Sequence, residues 1–379
     1  MWVSICGLWV SDAPQEVLEA KPLKITGIIP HYVRGTLIRN GGGIWNIDDQ
    51  VQCGHIFDGL AKLSKYEISG DKGCVFFSTR FIDSNIFDEQ VVHRKRVNTV
   101  RVGPLMTRLD LLDMDDSLDA SSTPTLVKTK WIPALANLLS YDNAPVNVWN
   151  FDPTNIGNDN DKSNGSKIWA LTDTPIRATV QRSDLKTLQR ATPPPKAKNA
   201  KGYELTATAH PEYCKRGTGA TYNVGVHLAV PNPFLCLIKD TTFDSDTDSS
   251  SQRQVVASYE LSDRQIPYIH SFGLTPTKAI VVLQPLRQQS NIVQLLENGL
   301  MPTMQHVNYT QVLVFDLETG DIIADGKTED KIYFYHTIAA KESISGNSVT
   351  IQLCAYKTPN ILTGDDMFFR FDRAYNKQG

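Results

Sequence analysis

Short runs of β-branched and aromatic residues, bounded by Gly, Asp, Ser and Asn, recur along this chain. Residues 62–68 (KLSKYEI) lead into Ser-Gly-Asp-Lys-Gly and then into residues 74–81 (CVFFSTRF), which predicts a hairpin. The same pattern predicts strands over 167–172, 278–283, 311–317, where Glu-Thr-Gly follows, and 348–356. Strand signals spread in this way predict an all-β architecture, a sandwich or a propeller. Apolar residues at i, i+3 and i+4 predict helices only over 104–118 and 292–300, and both read as excursions from a sheet scaffold. Residues 152–166, 193–201 and 240–252 are rich in Asn, Asp, Ser, Pro or Lys and read as solvated loops joining strands. The first is not a calcium loop. Counted from Asp159, the positions that need Gly and Glu hold Asn164 and Ala170.

Composition narrows the function. With 379 residues and 41% hydrophobic content the chain can bury a large core, as one large β domain or as two or three smaller ones. Its 38 basic and 41 acidic residues leave a net charge of −3, so no basic field exists to hold a nucleic acid by counterion release. Six scattered cysteines form no C-x-x-C pair, which argues against a zinc ribbon or a disulfide framework and points to a reducing compartment. Residues 1–10 are apolar but short, without a basic n-region or a cleavage site, and no uncharged apolar run reaches membrane-span length. An intracellular protein is expected, in cytoplasm or plastid, with at most peripheral membrane contact.

Three histidines end or follow β-rich stretches: His210 in Thr208-Ala209-His210-Pro211, His270 in Pro267-Tyr268-Ile269-His270-Ser271-Phe272, and His336 in Tyr333-Phe334-Tyr335-His336. An imidazole at a strand end can offer one neutral nitrogen to a metal while its other N–H is held by a carboxylate or carbonyl. The spacings, 60 and 66 residues, lack the short signature of a helical metal motif, so ligands and core histidines both remain open readings on chemistry alone. Spacing of that order suits one ligand per propeller blade, with loop insertions.

In this order the segments resemble the carotenoid cleavage oxygenase family. The likeness opens with Gly35-Thr-Leu-Ile-Arg-Asn-Gly41, continues through His55-Ile-Phe-Asp-Gly59, Ser78-Thr-Arg-Phe81 and Ala170-Leu-Thr-Asp-Thr174, and takes in the three histidine segments. It spans essentially residues 1–379, read as one domain. The resemblance implies a seven-bladed β-propeller holding one non-haem Fe(II) through four histidines, of which His210, His270 and His336 are the first three. Nothing matches the fourth. The 43 residues after His336 contain no histidine, so the propeller is expected to be incomplete at its C-terminal side and the chain, taken alone, to be unstable or inactive. Where the family has a Glu that orients a ligand histidine, this chain has Asp173, one methylene shorter, whose reach to the imidazole is direct or through a water. Gly42, Ile56 and Glu212 also depart from the family pattern and read as structural. His55 reads as a packing residue, and His31, His93, His227 and His306 as surface or core.

The resemblance further implies oxidative cleavage of a conjugated double bond of a carotenoid or apocarotenoid by dioxygen, giving two carbonyl products. The protein supplies position and a dry tunnel, and no side chain is nominated as a general base. Apolar substrates imply a membrane-facing patch, with residues 292–301 as the candidate. Two other readings stay open: a relative that isomerises and hydrolyses retinyl esters, and an inactive truncated copy acting as an apolar-ligand or protein-binding module.

Overall fold

The computed structural model describes residues 12–45, 59–88, 142–150, 167–240, 253–289 and 304–358. The expected helices, the loop at 152–166, nearly all of that at 240–252, the apolar stretch at 292–301, His55, Ile56 and His93 lie outside the described residues. Within them the chain is almost wholly strand, with one three-residue helix at Asn85–Phe87. No helix among the described residues is long and apolar enough to cross a membrane.

The first sheet comprises β1 (Val17–Pro22), β2 (Arg34–Gly42), β3 (Ala61–Ser69) and β4 (Cys74–Phe81) in the order β1-β4-β3-β2. The second is a meander of β5 (Asn147–Asn150), β6 (Lys167–Leu171), β7 (Arg177–Gln181) and β8 (Thr187–Thr192). In the third, β9 (Tyr203–Ala207) and β10 (Glu212–Tyr213) both pair with β11 (Thr221–Leu228), which continues to β12 (Phe234–Asp240) and β13 (Arg253–Glu260). Then follow β14 (Gln265–Pro267), β15 (Gly273–Leu274), β16 (Lys278–Leu283), β17 (Leu286–Gln289), β18 (Met304–His306), β19 (Thr310–Asp316) and β20 (Ile322–Thr328). Of these, β15-β16-β19-β20 form a four-stranded sheet and β14-β17-β18 a three-stranded one. Finally β21 (Tyr333–Glu342) pairs with β22 (Val349–Tyr356). Strands β4 and β16 occupy the expected residues, β6 and β22 differ from expectation by one residue at one end, and β3 and β19 by one residue at each end.

The apolar side chains explain the stacking. Leu63 and Phe81 of the first sheet pack on Ile168, Ala170, Ala178 and Val180 of the second. Val224, Val226, Leu235 and Leu237 of the third pack with Ala279, Val281, Leu283, Leu313 and Phe315 of the next. Strand β16 is covered on both faces and buries Ala279 through Leu283 without a break, so its sequence reads as a continuous apolar run rather than an alternation. Each fully buried aliphatic or aromatic side chain contributes roughly 1.5–3 kcal/mol, which holds neighbouring sheets face to face. On the inner side β2 packs against β5, β10 against β15, and β15 against β21, as successive blades of a propeller do.

Turns follow residue chemistry. Between β19 and β20 the Asp316 carboxylate accepts the Glu318 and Thr319 amides at 2.9 and 3.0 Å, and Gly320 takes φ +78°, which side-chain-bearing residues rarely adopt. The segment at 193–201 is not merely a solvated joiner. Ala197 is buried with Cys236, Ile238 and Val255, Lys198 bridges to Gln254, and Arg253 donates to the Pro195 carbonyl. Burying this short stretch covers the face of β12 and β13 that composition alone leaves bare.

Phe315 is fully buried between sheets. Phe315→Ala is expected to cost about 3–5 kcal/mol, measured as a lower denaturant midpoint for loss of the β signal.

Candidate metal centre

The three histidines share a local origin. Each stands where an inner strand is interrupted. His210 lies in the break between β9 and β10, followed by Pro211, which has no N–H to continue a ladder. His270 lies between β14 and β15, where the chain leaves one sheet for another. His336 lies in a bulge of β21: Phe334 faces Ala355 and Thr337 faces Leu353, so Tyr335 and His336 together oppose Cys354 alone. An interrupted ladder frees the backbone to turn the side chain out of the sheet, and here it turns all three imidazoles toward one another.

Their available ring nitrogens lie within 4.8 Å of one another. The His210 and His270 Nε2 atoms are 3.0 Å apart, and the ring centroids are separated by 4.6 Å (His210–His270), 4.9 Å (His210–His336) and 5.2 Å (His270–His336). Two imidazole ligands at about 2.1 Å from one ion and at right angles would stand about 3 Å apart, so this spacing fits a shared metal. Among the described residues no other group of histidine, cysteine or carboxylate side chains has that character.

Asp173, in the turn after β6, is buried at 8% exposure and organises the surroundings. Its Oδ2 lies 2.9 Å from His270 Nδ1 and accepts the Tyr268 hydroxyl at 2.9 Å. Its Oδ1 accepts the Ala209 amide, next to His210, at 3.3 Å. The shorter carboxylate therefore reaches the imidazole directly, with no water needed between them. Since an ionised carboxylate only accepts, the His270 proton belongs on Nδ1 and Nε2 offers its lone pair inward. His210 is held from the second sheet: Asn147 Nδ2 donates to the Ala209 carbonyl at 2.7 Å and lies 3.2 Å from His210 Nδ1. Tyr335 packs edge-on to His270 at 5.2 Å.

The electrostatics keep the His210 and His336 rings ready to ligate. Burial, then the neighbouring His270 and His336, push His210 down to about 4. Burial and His270 likewise lower His336. Burial alone would raise the Asp173 carboxyl, yet His270 beside it, its hydrogen bond, the Tyr268 hydroxyl and His210 together hold it below the usual carboxylate range. Tyr268 is raised well above the ordinary phenol value by burial and by Asp173, so it serves as a donor.

The family model of the retinal pigment epithelial membrane protein matches residues 11–378. The chain belongs to this family, that of the carotenoid oxygenases. The carotenoid isomerooxygenase of Galleria mellonella is 24% identical over 93% of this chain and 62% of its own length. The mitochondrial carotenoid-cleaving dioxygenase of Mustela putorius furo is 23% identical over 98% of this chain and 63% of its own. The chain thus spans under two thirds of either relative. Among solved structures, cobalt-substituted Synechocystis apocarotenoid oxygenase superposes with a TM-score of 0.62 at 19% identity, covering 92% of this chain and 62% of that one. The fold of this family member is accordingly all-β and of the carotenoid oxygenase propeller type.

Of the residues singled out from sequence, the structure brings together His210, His270, His336 and Asp173 and leaves His31 and His306 exposed, while His227 is buried in β11. Sequence patterns do not single out Asn147, Tyr268 or Ser271, which hydrogen-bond to the site: Asn147 to the Ala209 carbonyl, Tyr268 to Asp173 and Ser271 to the Tyr335 carbonyl. Tyr268 and Ser271 flank His270 in sequence, which was the signal available. Asn147 belongs to another sheet, 63 residues from His210, and carries none.

Two outcomes follow from this geometry. Asp173→Ala is expected to weaken Fe(II) or Co(II) binding roughly 10–100-fold, measured by competition with a metal indicator. Glu212, in β10, is pushed up from 4.5 to about 7 by burial, so the folded state holds the extra proton between those values and the residue costs stability as pH rises through them. Chelator-treated Glu212→Gln should therefore melt above the unmodified chain at pH 8 and alongside it at pH 4.

Proposed function

We propose that this chain is the histidine-bearing part of an Fe(II)-dependent dioxygenase that cleaves a conjugated double bond of a carotenoid or apocarotenoid. The observation that supports this reading is the convergence of His210, His270 and His336 on one point, backed by the Asp173 carboxylate. Three neutral imidazoles form a donor set that suits a divalent transition metal. When bound, iron(II) supplies the activation of dioxygen. The chain's own residues do the rest. Asp173 keeps the proton of His270 on the outward nitrogen and fixes its ring; Tyr268 fixes Asp173; the depressed basicity of His210 leaves its ring unprotonated at neutral pH. Buried tyrosines Tyr268 and Tyr335 line the outer side of His270 and exclude water from it. In the overall reaction one C=C bond and one O2 become two C=O groups, so no external reductant is required.

Relatives named as carotenoid-cleaving dioxygenase and carotenoid isomerooxygenase support the substrate class. Contact with a membrane surface, from which so apolar a substrate must be drawn, and an intracellular location belong to the same proposal.

Fe(II)-loaded protein that carries these residues together with a fourth histidine ligand is expected to convert an apocarotenoid to two carbonyl fragments, each labelled when 18O2 is used and the products are trapped by reduction. His270→Ala should lose both iron and turnover. Unlabelled products from a retinyl ester would favour the isomerising, hydrolysing reading, and a chain that retains no iron would favour a binding module.

A further inference from the structure

The histidines are held in a directional pattern, each by a polar residue of a neighbouring inner segment. Asn147 grips the segment of His210, and Asp173 grips His270. His336 differs, since among the described residues none hydrogen-bonds its ring, and the bulge removes part of the ladder that would otherwise fix its backbone. One side chain bonds to the backbone on both sides of His336. The Ser271 hydroxyl donates to the Tyr335 carbonyl at 2.6 Å and accepts the Thr337 amide at 2.9 Å, so it spans the two peptide groups on either side of His336. It also lies 3.2 Å from the Thr337 hydroxyl. Ser271 is 4% exposed, so no solvent would replace these bonds. Its chain neighbour is His270, whose ring centroid lies 5.2 Å from that of His336.

We propose that Ser271 is a positioning residue for His336: its hydroxyl locks the β21 bulge in the shape that turns the His336 imidazole toward His210 and His270. This rests on the metal reading above. A hydroxyl is suited to the task because one oxygen both donates and accepts; an alanine does neither and removes both the bond to the Tyr335 carbonyl and the bond from the Thr337 amide. By acting through the backbone, Ser271 sets the direction of a ligand it does not touch, and it ties the placement of the third histidine to that of the second.

The test uses the full chain, Co(II) as probe, and two readouts, dissociation constant and ligand-field absorption. Ser271→Ala is expected to weaken Co(II) binding about tenfold or more and to shift the absorption bands. Ser271→Thr, which keeps the hydroxyl, should recover both. Thr79→Val, which removes a comparable buried hydroxyl-to-backbone bond (2.7 Å to the Leu63 carbonyl) in the first sheet, should lower the melting temperature and leave both Co(II) readouts unchanged. If Ser271→Ala does not fold, by circular dichroism, the near-isosteric Ser271→Cys replaces it under the same criteria. A folded Ala or Cys variant with unmodified affinity and spectrum overturns the role of Ser271 alone. An unmodified chain that takes up no Co(II) overturns the metal reading, and this inference with it.

Discussion

The Asp173 carboxylate is the interaction on which the site depends. One buried anion accepts from His270, from Tyr268 and from the backbone amide beside His210, so it ties the turn after β6 to two histidine-bearing segments of other sheets. A buried carboxylate is costly unless its lone pairs are met by donors, and here three donors from separate parts of the chain meet them. The same requirement that keeps the anion stable thus fixes the relative positions of the imidazoles. Position and protonation are set together, since an acceptor-only partner leaves the His270 proton a single place to be.

Around this anchor three interruptions of regular sheet geometry bring the imidazoles together. The split inner strand of β9 and β10, the passage from β14 to β15, and the bulge of β21 each sacrifice ladder hydrogen bonds. The polar groups so released do not go unmatched: the Ala209 amide and carbonyl find Asp173 and Asn147, and those flanking His336 find Ser271. The sheets are held by apolar faces packed between blades, and the centre by polar residues that repair interruptions. The two parts of the molecule therefore rest on different physics. Burial of Leu237 or Phe315 is non-directional and tolerant, whereas the contacts of Asp173 or Ser271 are short, directional and specific.

Much of this was legible in the amino-acid sequence. Strand periodicity and turn residues located β3, β4, β6, β16, β19 and β22 to within a residue at either end, because alternation and Gly/Asp punctuation are local properties. The three histidine segments and Asp173 were legible because their order along the chain resembles that of a family. Tertiary structure decided what depends on distance. The shorter Asp173 reaches His270 without a water because the turn after β6 sits against the segment between β14 and β15, which no spacing reveals. Asn147 could not be identified, since its partner lies in another sheet. Nor could the exchange of ladder bonds for the Ser271 hydroxyl, because a bulge is a register difference between two strands and register is a property of the pair. Sequence by itself determined which residues could ligate and which segments could form blades; the packing of blades determined that the three rings face one another, because side-chain direction at an interrupted strand is set by the groups that satisfy its freed backbone.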